Sequence, residues 1–123
     1  MIRPVIRPGQ IEPNEFELAI LERIAAKNPS LRPYLRNLHV LSREFTGVGS
    51  YTNFKCEDEG TQVVEQRLGL DDLIVMPDVQ NGMGVVLFCQ GDQPKCLETY
   101  TFGDELWDGV FEGFAIQSAT GQS

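Results

Sequence analysis

The chain has 123 residues, of which 41% are hydrophobic and 23% charged, with a formal net charge of −8. That is enough chain for one domain with its own core, and too ordinary a composition for wholesale disorder. No apolar run approaches the ~18 residues of a membrane-crossing helix, so no membrane partner is expected.

The opening residues, MIRPVIRPGQ, combine two arginines with no continuous apolar stretch and no small-residue cleavage site. They do not read as a signal peptide, and the expected compartment is the cytoplasm. Pro4, Pro8 and Pro13 make residues 1–13 an extended lead-in. Asn14 then has the character of an N-cap, with Glu17 placed to close a capping box. Over residues 15–27, Phe16, Ile20, Leu21 and Ile24 recur at helical spacing, while Glu17, Glu22, Arg23 and Lys27 are expected to face water. Asn28-Pro29 ends this helix. Ser30 is expected to cap a shorter one over residues 31–37, with Leu31, Tyr34, Leu35 and Leu38 as its apolar stripe. Arg32 and Arg36 on it are too few to indicate a nucleic-acid contact.

Beyond Leu38 the period becomes alternating. Leu41, Arg43 and Phe45 should point one way, and Val40, Ser42 and Glu44 the other. Gly47-Val48-Gly49-Ser50 interrupts, and a second strand resumes over residues 51–56. Glu57-Asp58-Glu59-Gly60 reads as an exposed loop, since it lacks the ligand spacing of a calcium loop. Further strands are expected at 63–68 and 73–78. Asn81-Gly82 carries a turn signal leading into the most apolar run of the chain. Residues 84–90 and 95–102 should pair as a central antiparallel hairpin around Gly91-Asp92-Gln93-Pro94. Residues 108–116 should close the fold with a short strand or helix, and 117–123 should fray. The expected fold class is α+β, a single domain over 1–123. Helices at 14–37 pack on a mostly antiparallel sheet of four to six strands spanning 38–116, because no helical crossovers separate the strands.

The charge is unevenly divided. Residues 1–55 carry eight Lys/Arg against five Asp/Glu; residues 57–112 carry thirteen Asp/Glu against Arg67 and Lys95 alone. Such an acidic half repels nucleic acid and anionic lipid and attracts a basic partner. No catalytic signature is legible. His39 is the sole histidine, and Cys56, Cys89 and Cys96 show no C-x-x-C spacing, so no metal or cofactor is expected. If Gln90 pairs with Lys95, Cys89 would face Cys96 across the hairpin. Gly47-x-Gly49 lacks the further glycines, the helix and the lysine of a phosphate loop. Trp107, set between Glu105-Leu106 and Asp108, either closes the core or serves as an aromatic interface anchor.

Three segments carry a resemblance: residues 43–49 (REFTGVG), 82–88 (GMGVVLF) and 97–107 (LETYTFGDELW). Together with their surroundings they cover roughly half the chain and resemble a family of small bacterial proteins. Its R-x-[FY]-T-G-x-G segment is followed by a G-x-G-[FY]-x-LF strand and a final L-E-x-[FY]-[ST]-[FY]-G-[DE]-x-W stretch. Ser50 and Val85 depart from it where an aromatic is usual. Members of that family are similar to immunity proteins of contact-dependent growth inhibition and related toxin systems. The resemblance implies a non-enzymatic acidic protein, monomeric or weakly dimeric, that binds a basic toxin domain and covers its active site. It supplies no catalytic residue. The expected partner-facing residues are Asp71, Asp72, Asp78, Asp104, Glu105, Trp107 and Asp108. Two other readings stay open. One is a small-ligand site lined by Tyr51, Phe54 and Tyr100; the other is a hydrolase using Cys56 or Cys89 with His39.

Overall fold

The computed structural model describes residues 12–56 and 65–118. Helix α1 (Glu15–Lys27) starts on the expected capping box: Glu17 N donates to Asn14 Oδ1 and Asn14 N to Glu17 Oε1, both at 2.8 Å. It ends where Asn28 turns back, its side chain donating to Ile24 O and its N–H to Ala25 O, immediately before Pro29. A 3-10 turn (Pro29–Leu31) and the one-turn helix α2 (Arg32–Leu35) follow. Ser30 does not cap here; its hydroxyl bonds Asp92 instead.

Among the described residues, seven strands form one antiparallel sheet: β1 (Val40–Phe45), β2 (Gly49–Phe54), β3 (Glu65–Gly69), β4 (Leu73–Met76), β5 (Val79–Gln90), β6 (Gln93–Thr101) and β7 (Ala115–Gln117). The order is β1-β2-β6-β5-β4-β7. β5 is long enough to pair with β4 at its start and β3 at its end. The architecture is the expected α+β one, with short β7 bringing the count above six. Phe16, Ile20, Leu21 and Ile24 join Ile74, Met83, Leu87 and Leu97 in one core cluster. Trp107 lies in the same cluster. Residues 57–60, 63–64 and 119–123, read as loop, strand start and tail, lie outside the described residues.

Several local expectations are corrected. Asn81-Gly82 is not a turn. The chain reverses at Pro77-Asp78, where Met76 faces Val79 and Asp78 takes φ +66°. Gly82 sits inside β5 as a bulge with φ +79°, and a Cβ there would come within 2.6 Å of Leu73 Cδ1. Its glycine is required by the bulge. In β1 the register shifts between Val40 and Ser42, so Leu41 is the extra residue. Val40 consequently shares the buried side with Arg43, and Leu41 is left exposed. The central hairpin turns on two residues, with Gln90 opposite Gln93. A further register shift puts Cys89 opposite Pro94 and Phe88 opposite Cys96. The imagined Cys89–Cys96 facing pair does not form, and no disulfide joins Cys56, Cys89 or Cys96.

The largest correction concerns Glu17. It does not face water: it is 0% exposed. Arg43 grips its carboxylate through Nε and Nη2, both at 2.7 Å, and Thr52 Oγ1 donates to it at 2.7 Å. Desolvating a carboxylate is tolerable only when paired and saturated with donors in this way. Helix α1 is thereby bolted to β1 and β2 by its first turn.

Removing one partner should be worse than removing both. Arg43→Met, which strands a buried charge, should cost about 3–5 kcal/mol in urea denaturation. The Glu17→Gln/Arg43→Met double variant should recover a large part of that loss. Additive losses would contradict this account of the clasp.

Candidate protein-binding surface

One end of the sheet gathers the β1–β2 turn (46–48), the β4–β5 turn (77–78) and the chain leaving β6 (102–114). Backbone geometry welds them together. Thr101 N donates to Val48 O at 2.9 Å, and Trp107 N to Gly47 O at 3.0 Å. Thr101 Oγ1 donates to Glu105 O at 2.6 Å. The Glu105 carboxylate accepts from the backbone N–H of both Gln80 and Asn81. β2 comes so near β6 at Gly49 that a Cβ there would lie 2.1 Å from Thr99 O.

Aromatic packing seats this end on the core. Phe16 of α1 meets Phe111 at 5.0 Å and Phe114 at 5.1 Å between ring centroids. Phe111 in turn meets Trp107 edge-on at 5.2 Å, and Phe45 at 5.9 Å. Trp107 is 7% exposed and its indole N–H donates to Val110 O. In this fold it closes the core, and its aromatic surface is spent on neighbours.

The predicted site residues divide. Asp78, Asp104 and Asp108 are exposed at this one end. Asp78, Leu106, Trp107 and Asp108 line a common shallow recess with Gly47. Asp104, like Asp78, holds left-handed backbone, φ +58°. Asp108 also accepts from Val110 N at 3.0 Å, shaping the turn. Glu105 is half-buried and serves as the backbone acceptor described above. Asp71 and Asp72 lie elsewhere, at the far end of β4. Asp71 is exposed, whereas Asp72 is buried against Arg23 Nη1 at 2.6 Å. The sequence reading missed Leu106, which is 78% exposed between two residues fixed in place. The signal available was an apolar residue inside the acidic run Asp104-Glu105-Leu106-Trp107-Asp108 that no strand alternation required.

The segments forming this pole (45–49, 76–83 and 100–113) contain Asp78, Asp104, Glu105, Asp108 and Glu112, and no Lys or Arg. The other chemistries leave weaker marks. Phe54 is buried on the helix side, while Tyr51, paired with Glu98, and Tyr100 lie on the opposite face, so these three do not line one pocket. Burial, with help from Asp92 and Cys56, pushes the Cys89 thiol up to about 11. Burial also raises Cys96, reinforced by Glu98 and Glu44. Activated nucleophiles are shifted the other way. The buried Nδ1 of His39 has no hydrogen-bond partner among the described residues. No group of three or more His, Cys, Asp or Glu side chains converges to hold a metal ion among the described residues. No helix among them is long and apolar enough to cross a membrane. No family model, curated protein or solved structure matches this chain.

Two measurements follow from these environments. Glu105→Ala, which orphans two backbone donors, should lower stability by about 1–3 kcal/mol. Asp78→Gly and Asp104→Gly should be neutral or stabilising by up to about 1 kcal/mol, because glycine relaxes positive φ. A raised thiol pKa keeps the neutral form below that pKa. Native Cys89 should therefore resist iodoacetamide at pH 8 and react at once on unfolding; fast native alkylation would contradict its burial.

Proposed function

We propose that this chain is an acidic inhibitor of the immunity type, which binds a basic bacterial toxin domain, a nuclease in the simplest case, and occludes its active site. The observation that carries the proposal is the pole itself. Exposed Asp78, Asp104 and Asp108 stand on a welded framework whose segments hold no cation. An acidic face of this kind offers a nuclease the charge that it expects from phosphate, and long-range attraction speeds encounter. The same field disfavours nucleic acid as a partner. The inhibitor acts in the cytoplasm as a monomer or weak homodimer, with no cofactor, metal or catalytic role. Asp71 extends the acidic field from the far end of β4. Asp72 and Glu105, both engaged internally, support the fold around it.

The test is a calorimetric titration against purified basic toxin nuclease domains from the source genome, at low and at high salt. Tight binding that weakens as salt rises is expected, since screening shortens the reach of the acidic field. Absence of binding at both salts would overturn the proposal.

A further inference from the structure

Eight large apolar side chains stand exposed among the described residues, and four of them, Phe45, Phe102, Leu106 and Val110, belong to the acidic pole. A single exposed leucine on a surface is unremarkable in energetic terms. Leu106 differs in how it is held. On its N-terminal side, Glu105 is fixed through its carbonyl by Thr101 and through its carboxylate by Gln80 and Asn81. On its C-terminal side, Trp107 is fixed through its N–H to Gly47 and through its buried indole. Between two pinned residues the leucine backbone is held at the surface, and its side chain is 78% exposed. Leu106 forms part of the wall of a shallow recess of about 410 Å³ whose lining includes Asp78 and Asp108.

We infer that Leu106 is the apolar anchor of the partner interface: it inserts into a hydrophobic socket of a basic protein whose Lys and Arg side chains ring that socket and meet Asp78, Asp104 and Asp108. This inference rests on the inhibitor reading above and specifies the chemistry of its partner. Charge complementarity selects the occupant. A second copy would set acid against acid, and nucleic acid would set phosphate against acid. A purely cationic surface would leave Leu106 dry on one side and wet on the other, gaining nothing from its presentation. The arrangement is that of a binding hot spot, a preorganised apolar centre inside a polar rim. It also divides the work kinetically. The anchor governs how long the complex lasts, and the acidic rim governs how fast it forms.

The experiment is surface plasmon resonance of the basic toxin domains used in that titration, binding wild type, Leu106→Ala, Asp78→Asn and Asp108→Asn at two salt concentrations. Leu106→Ala should weaken binding at least about 30-fold, chiefly through faster dissociation. Its melting temperature should match wild type, because the side chain is 78% exposed. Each Asp→Asn change should weaken binding roughly threefold to tenfold at low salt through slower association, an effect that fades at high salt. Tight wild-type binding that Leu106→Ala weakens less than about threefold overturns the anchor and leaves the inhibitor reading standing. No binding by wild type removes both.

Discussion

Four donors converge on one carboxylate that solvent does not reach. Glu17 takes hydrogen bonds from Asn14 N, from Arg43 twice and from Thr52. These donors come from the helix cap, from β1 and from β2, so a single charge fixes where three elements meet. An apolar trio of equal volume would stabilise the junction about as well. What the charged network adds is geometry, since a bidentate guanidinium accepts few arrangements of its partner. The placement propagates. Phe16, one residue before Glu17, is held against Phe111 and Phe114; Phe111 supports Trp107, and Trp107 anchors the segment that ends the sheet. The segment carrying the exposed acids is thus seated through a series of contacts, from Trp107 to Phe111 to Phe16 and so to the Glu17 clasp, each resting on the one beneath it.

The acids of this chain therefore do two kinds of work that composition cannot separate. Glu17, Asp72 and Glu105 are internal partners, bonded to Arg43, to Arg23 and to two backbone N–H groups. Asp78 and Asp104 occupy left-handed turn positions where glycine would be less strained, and both side chains are exposed. Aspartate tolerates that conformation better than most side chains, so each position combines a tight turn with an exposed charge. Asp108 does both, shaping its own turn while remaining exposed.

Much of the fold was legible. The capping box at Asn14 and Glu17, the helix stripe and the central β5–β6 hairpin follow from local chemistry that the tertiary structure leaves intact. The failures are equally physical. Asn81-Gly82 satisfies the chemistry of a turn and of a bulge alike, and the pairing of Met76 with Val79 puts the reversal upstream and leaves Gly82 inside β5. Leu41 fits an alternating pattern until a bulge takes it out of register, and nothing local announces a bulge. Glu17 at a first-turn position reads as a solvated, dipole-favoured acid; its burial depends on Arg43, 26 residues away. The site was partly legible for the same reason. Charge density singled out the acidic half of the chain, but only the register placed Asp78 with Asp108, sent Asp72 to Arg23 and left Leu106 exposed.

The most direct test of the account is an NMR chemical-shift map of the labelled protein, free and with a basic toxin domain of the kind proposed. The account predicts that the largest changes fall on the backbone amides of residues 46–48, 77–79 and 102–110, with helix α1 and the Gly91-Asp92 turn undisturbed. Shifts centred on α1, α2 or that opposite turn would place the interface away from the acidic pole and contradict it.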